Sequence, residues 1–184
     1  MRRAAILFAI GAGGGLIGDQ GHVASGTTRY LDRGVPFIWE SAFWFVLLVG
    51  GATVALGELR LRLAPPRPGG GWRAGVAAVA AVVGLYALTA LLRDQPLGPT
   101  TALVASLAAV MACVLADGRP ALTCGALAAV NGTVFEAVLV RLEVFEYAAD
   151  IDAFAGVPPW LPALYFAFGV AAARLAELLT PTRA

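Results

Sequence analysis

Lysine is missing from this 184-residue chain: all 13 basic side chains are arginine. Histidine occurs once and cysteine twice, and charged residues make up only 14% against 59% hydrophobic ones. A net charge of +1 supplies no basic face for phosphates, so no nucleic-acid partner is expected. The cysteines, Cys113 and Cys124, both lie in apolar runs. Their spacing builds neither a metal site nor a disulfide framework, and they read as buried thiols acting as small apolar side chains. The lone histidine, His22, leaves Ser41 and Ser106 without a base on their own segments. A metal centre would have to combine Asp19, His22 and Glu136, which have no signature spacing. DIDAFAG at 150–156 begins like a calcium loop but has Phe154 where an oxygen ligand belongs. No catalytic residue, metal or cofactor is therefore expected, and the chain does not read as an enzyme. The alternating segments of about ten residues that build a membrane barrel are also absent.

What the chain has is runs of about 20 residues with few or no charges, the length a helix needs to cross a hydrocarbon core. The expected fold is all-α: a polytopic membrane protein with six transmembrane helices in one bundle, residues 1–184 forming a single domain. The spans are placed at about 4–28, 38–59, 74–92, 100–116, 121–140 and 160–179, with APPRPGGGWR at 64–73 the clearest flexible connection. The first span is the difficult one. Ala4 to Gly18 rises only about 22 Å as a helix, so crossing requires carrying Asp19, Gln20 and His22 into the membrane. A cleaved signal peptide ending near Val23-Ala24-Ser25 is the rival reading. The segment is taken here as a retained helix.

Arginine placement sets the orientation. With the N-terminus inside, the inner segments hold nine arginines (Arg2, Arg3, Arg60, Arg62, Arg67, Arg73, Arg119, Arg174, Arg183). The outer ones hold four: Arg29, Arg33, Arg93 and Arg141. N- and C-termini are therefore expected to be cytoplasmic. No internal repeat is evident.

Ionisable groups at membrane depth face a bundle interior or a wet cavity, so each is a functional candidate. Asp19 and His22 share a helix face, behind two ridges of small residues: Gly11, Gly15, Asp19 and Gly14, Gly18, His22. Glycines at this spacing let another helix, or a lipid, approach closely. The polar residues either close the outer end of that space or satisfy one another. Glu136 lies roughly 7 Å inside the fifth span. Thr133 shares its face, Asn131 points about 140° away, and Arg141 or a group on the first helix is the expected partner. Arg174 and Glu177 read as a snorkelling interfacial pair.

Two stretches resemble the insulin-induced gene (Insig) family, the six-span membrane sterol sensors of animals. ESAFWFVLLVGGATVALG at 40–57 is similar to the family's SSAWW…G.A….G pattern at Ser41, Ala42, Trp44, Gly50, Ala52 and Gly57. PWLPALYFAFG at 159–169 resembles the family's SWLPCIFFAGG at Trp160, Leu161, Pro162, Phe166, Ala167 and Gly169. The resemblance implies a lipid-binding sensor that holds a sterol among its helices and associates with the escort protein Scap. An acid in the family's TFDRSRSG stretch supports that association. Here the stretch is VLADGRPALTCG, which puts Asp117 in the acid's place with Arg119 nearby as candidate partner contacts. A family glutamine implicated in sterol contact falls near Thr100, a departure that weakens hydroxysterol recognition.

The arginine-, alanine- and glycine-rich composition suggests a GC-rich bacterial coding sequence and the bacterial inner (plasma) membrane. A different lipid is then expected, with a small polar head and a large apolar body, diacylglycerol-like or sterol-like. Asp19, Gln20, His22, Tyr86, Thr89, Thr100 and Glu136 are the groups expected to line or close its site. Gly11, Gly14, Gly15, Gly18, Gly50 and Gly57 are the expected helix-packing positions, and a homo-oligomer, trimer or dimer, is the expected assembly. The alternative is a proton-coupled transporter with Asp19, His22 and Glu136 as a relay, although no two halves with matching broken helices are seen. A membrane enzyme acting on lipid ranks third.

Overall fold

The computed structural model describes residues 1–31, 34–66 and 71–180. Six long helices account for most of them: α1 (Arg2–Ala24), α2 (Phe43–Leu63), α3 (Trp72–Leu91), α4 (Leu97–Leu115), α5 (Arg119–Arg141) and α6 (Leu161–Leu178). All six are long and apolar enough to cross a membrane. Four short strands join them: β1 (Thr28–Tyr30), β2 (Phe37–Ile38), β3 (Ser41–Ala42) and β4 (Phe145–Tyr147). Leucines and valines such as Leu47, Leu107, Val110, Val114 and Val130 stand exposed on the outer helix faces, as a lipid-facing surface requires. α6 is the most enclosed helix and packs against α2, α3, α4 and α5.

The bundle has two distinct ends. Arg3 at the start of α1 reaches Glu58 near the end of α2 at 2.7 Å and Thr180 after α6 at 3.3 Å, so the start of α1 and the ends of α2 and α6 share one face, called here the terminal face. On the opposite face β1 and β4 pair antiparallel, with Arg29 opposite Glu146. There Arg93, after α3, binds Asp150 through two hydrogen bonds of 2.7 and 2.6 Å, which hold the exposed Asp150 carboxyl below its ordinary range. Trp72 at the terminal face and Trp39 at the strand face are both exposed, where aromatic rings sit at membrane interfaces.

Two expected spans are corrected. The first, placed at 4–28, ends as a helix at Ala24, because Gly26 adopts a left-handed φ of 70° and closes a Schellman turn. In that turn the Thr27 N–H donates to the His22 carbonyl and the Gly26 N–H to the Val23 carbonyl. The second, placed at 38–59, runs from Phe43 to Leu63, because Phe37–Ile38 and Ser41–Ala42 form a hairpin. Arg33, Arg67 and Arg183, and the centre of the 64–73 connection, lie outside the described residues.

The expectation of no internal repeat is overturned as well. Arg29 and Glu146, 117 positions apart, are paired partners and also equivalent residues. The same offset carries α1 onto α5, β1 onto β4, Asp19 onto Glu136 and Tyr30 onto Tyr147. Even the turn after α1 recurs after α5, where Val144 donates to Leu139 and Glu143, with a φ of 57°, donates to Val140. α2 and α6 then follow in the same sense. α1 and α5 run in the same direction, so α1–β1–α2 and α5–β4–α6 are two like-directed units, with α3 and α4 outside the correspondence. What the two units share is the turn hydrogen bonding and the acid–tyrosine spacing.

Candidate functional site

The glycines of α1 and their counterparts determine how the helices meet. A Cβ on Gly11 would lie 2.0 Å from Thr53 Oγ1, and one on Gly15 would lie 2.9 Å from Val49, so both let α2 approach. At Gly18 a Cβ would overlap the Tyr86 ring of α3 at 1.9 Å. Gly50 receives Phe8, and Gly57 receives Leu7 and Ala176. Sequence reasoning missed the other seam: Gly125 and Gly169 bring α5 and α6 together, and Gly132 seats the Tyr165 ring.

Between these seams lies a cavity of about 480 Å³, bounded by α1, α2, α3, α5 and α6. Gly11, Gly14 and Gly15 form part of its wall, with Ala52, Val83 and Phe168 among the residues facing them. A Cβ on Gly14 would meet only Val83, at 3.3 Å. Leu48, Phe135 and Val138 line the cavity and are also exposed, so it opens to the outside between α2 and α5. Its few polar groups include Thr53, Asn131, Tyr86, Glu136 and Tyr165.

Tyr86, Glu136 and Tyr165 also line a small annex of about 20 Å³ under the β1–β4 ribbon, which adds Asp19, Thr28, Tyr30 and Tyr147. The ribbon's alternation makes this roof: Thr28, Tyr30, Phe145 and Tyr147 turn inward, while Arg29 and Glu146 face out. Tyr30 donates to Asp19 Oδ2 at 2.8 Å. Tyr147 and Tyr165 both donate to Glu136, which makes them its partners in place of the expected Arg141 or α1 group. Burial, and then the neighbouring carboxylates, hold the phenols of Tyr30 and Tyr147 well above their ordinary range.

The remaining candidates scatter around this core. Asp19 and His22 do not satisfy each other. Thr89 donates to the Tyr86 carbonyl at 2.7 Å, so its 2.7 Å bond to His22 is donated by the histidine Nε2–H. Tyr86 and Trp160 meet the His22 ring edge-on, and the side chain is fully enclosed. The Gln20 amide lies 2.7 Å from the Ser41 hydroxyl and fastens the β2–β3 hairpin to α1. Gln20, His22, Thr89 and the buried Thr100 are not among the residues facing either space. Asn131 returns its amide to the Leu127 carbonyl of its own helix at 2.8 Å, so it needs no second neighbour. Cys113, expected to be buried, is exposed on α4; only Cys124 is enclosed. Asp19, His22 and Glu136 do not gather into a metal-binding group.

Near the terminal face a buried ion cluster replaces the expected interfacial pair. Glu177 does bind Arg174 at 3.2 Å, but it is enclosed and also bridges the fully buried Arg60 of α2. Arg60 donates to the Ala64 carbonyl at 2.9 Å and stands 3.9 Å from Asp117. Asp117 thus turns toward the bundle, whereas Arg119 is exposed.

The cavity, glycine seams and strand roof can be set against known proteins. No family model matches the chain. A protein of Mycolicibacterium vanbaalenii described as an INSIG protein homologue is 52% identical over 180 residues, covering 98% of this chain and 88% of that one. The chain belongs to the Insig family. The crystal structure of a mycobacterial Insig homologue from Mycobacterium vanbaalenii superposes on this Insig-family chain with a TM-score of 0.95 at 50% identity. It covers 100% of this chain and 98% of that one. A cross-linked trimer of that homologue matches with the same TM-score at 49% identity. The six-helix fold and the Insig resemblance read from the two sequence motifs hold.

Proposed function

We propose that this Insig-family chain is a membrane lipid sensor that holds one amphiphile, diacylglycerol-like or sterol-like, between α1, α2, α3, α5 and α6. The observation that carries this reading is the cavity of about 480 Å³, almost wholly apolar, open between α2 and α5 and polar at one end. That size falls in the range of about 300–1,000 Å³ typical of small-molecule sites. Glycines shape its wall: Gly11 and Gly15 line it while letting α2 approach, and a Cβ on Gly14 would meet only Val83 of α3. The reading carries no catalytic step and needs no cofactor besides the lipid. A proton relay through Asp19, His22 and Glu136 finds less support, since each is bonded to a separate partner.

The terminal face is assigned to the cytoplasm by its arginines, in the bacterial inner membrane. A homotrimer is the assembly adopted, by analogy with the cross-linked mycobacterial homologue. Asp117 and Arg119 remain the proposed contacts for a protein partner. The test is purification in mild detergent with mass spectrometry of co-extracted lipid, beside an Ala52→Trp variant that fills the cavity. A stoichiometric lipid lost in the variant is the expected result. No stoichiometric lipid, and no binding of added diacylglycerol or sterol, refutes the reading.

A further inference from the structure

The arginines of the terminal face divide into two sets. Arg3 binds Glu58 at 2.7 Å, Arg60 bridges Glu177 and stands 3.9 Å from Asp117, and Arg174 binds Glu177 at 3.2 Å. Those three carboxylates are all the acids of this face among the described residues. Arg2, Arg62, Arg73 and Arg119 are exposed and have no acid within ion-pair distance among the described residues, Arg73 lying instead over the Trp72 ring at 5.8 Å. On the strand face the balance is reversed, and acids outnumber arginines. Uncompensated positive charge is therefore a property of the terminal face.

Two of the four arginines stand at the same end of the seam between α2 and α5. Arg62 is two residues beyond Arg60 and Arg119 two beyond Asp117, which face each other. Just inward, Leu56 and Leu59 of α2 pack against Ala121 and Cys124 of α5. From each arginine an exposed apolar strip runs down its helix on the arginine's own side: Ala55, Gly51 and Leu48 on α2, and Leu122, Val130 and Val134 on α5. An added Cβ on Gly51 would meet nothing within 4 Å, so the α2 strip is uncovered. Leu48 and Val134 both reach the mouth of the cavity, so the two strips flank the same seam at both ends. From Arg119 to Val130 the helix rises about 16 Å, close to half of a hydrocarbon core of about 30 Å. That is the depth of one leaflet.

Any lipid can cover an apolar strip. The guanidinium groups at its head narrow the choice, because each presents a planar fork that matches phosphate oxygens, and the positive end of the α5 dipole lies beside Arg119. Free phosphate or an acidic polypeptide would satisfy the arginines and leave the strips bare. An amphiphile with an anionic head and aliphatic chains satisfies both.

We propose that the outer groove between α2 and α5 binds an anionic phospholipid of the leaflet at the terminal face, its phosphate held by Arg62 and Arg119 and an acyl chain lying along the strips. The site is outside the cavity and does not depend on what the cavity holds. A protein partner that uses Arg119 has to displace this lipid.

The test is native mass spectrometry of the full-length protein in detergent, titrated with dioleoyl phosphatidylglycerol or dioleoyl phosphatidylcholine. The two lipids share chains and phosphate and differ in net charge. One arginine near an anionic lipid surface is worth about fivefold in affinity, so two give an expected preference of about 25-fold for phosphatidylglycerol. Arg62→Gln and Arg119→Gln are each expected to lower it about fivefold, and the double variant to abolish it. Arg141→Gln, which removes an exposed arginine at the strand face, is expected to leave it unchanged. Equal binding of the two lipids by the wild type overturns the proposal, as does a double variant that keeps the full preference. A loss in Arg141→Gln equal to that of the double variant reduces the effect to net charge and overturns it as well. Displacement of phosphatidylglycerol by equimolar glycerol 3-phosphate makes this a free-phosphate site, and displacement by equimolar soluble polyglutamate makes it a protein surface; either result overturns the lipid assignment.

Discussion

Replacing single glycines by alanine gives a graded measure of how closely the helices are forced together. At Gly169 on α6, an added Cβ would stand 2.5 Å from the Cys124 carbonyl oxygen and 2.8 Å from the Gly125 Cα. Both are backbone atoms of α5 and cannot rotate away. Relief requires the helices to part by about 0.9 Å, the shortfall from the 3.4 Å where ordinary contact begins. A radial gap of about 0.5–1 Å forfeits a quarter to a half of each dispersion contact along a seam. Overpacking of this kind costs about 1–3 kcal/mol, offset by about 0.5–1 kcal/mol because alanine suits a helix better than glycine. A net loss of about 2 kcal/mol is expected for Gly169→Ala. At Gly18 the obstruction is the Tyr86 ring, whose Cδ1 would lie 1.9 Å and Cγ 2.5 Å from an added Cβ and which packs edge-on against His22, so a net loss of about 2 kcal/mol is expected there too. Gly13 is exposed on the same helix with nothing within 4 Å of an added Cβ, and Gly13→Ala is expected to gain about 0.5–1 kcal/mol. Thermal inactivation in detergent, followed by size-exclusion chromatography of the heated samples, ranks the three. The close-packing argument fails if Gly169→Ala is as stable as wild type, or if Gly13→Ala falls with it.

Three further outcomes are expected. Glu177→Ala strands the buried Arg60 charge and should cost about 3 kcal/mol, whereas an Arg60→Met, Glu177→Leu double variant should come close to wild type; chemical denaturation of the three proteins measures this, and equal losses in both variants would contradict it. The Tyr147 phenol is held above its ordinary value by burial, so below pH of about 10 it is protonated in folded and unfolded chains alike, and above it only the unfolded chain releases the proton. Stability should fall there by up to about 1.4 kcal/mol per pH unit for this group, and Tyr147→Phe should flatten the fall; an unchanged alkaline slope counts against the assignment. Glu143 occupies a left-handed φ of 57° that its counterpart Gly26 adopts without strain, so Glu143→Gly should stabilise by about 1 kcal/mol, read as a higher melting temperature.

Much of this was legible beforehand, for physical reasons that act locally. Helix length against bilayer thickness placed six spans, and the small residues of α1 marked a close approach. Where the expectation failed, the cause was a contact distant in the chain. Arg141 was the natural partner for Glu136 because it is five residues away. The partners are Tyr147, across a tight turn, and Tyr165, on the next helix. The β1–β4 ribbon pairs segments 117 positions apart, and no periodicity over three residues announces a strand.

The candidate site divides along the same line. Asp19, Tyr86 and Glu136 were named from the cost of polarity in lipid, and they do face the cavity or its annex. Gln20, His22 and Thr89 carry the same cost but discharge it in hydrogen bonds that fasten α1 to the β2–β3 hairpin and to α3. Thr28 and Tyr165 went unnoticed because their place under the ribbon and beside Glu136 depends on the β1–β4 pairing and on the packing of α5 against α6.

The sequence by itself determined that the chain is a six-helix membrane protein, that its family is Insig, and that α1 must carry polar groups inward. Each follows from span length, local motif or desolvation, and none depends on which helices are neighbours. Only the tertiary structure decided which glycines make room for a helix and which border a cavity, and which buried acids already have partners. It also decided that Asp19 of α1 and Glu136 of α5 meet at one polar annex. These are questions of distance between segments far apart in the chain, and a Cβ or a hydroxyl acquires its meaning from the atom it would meet.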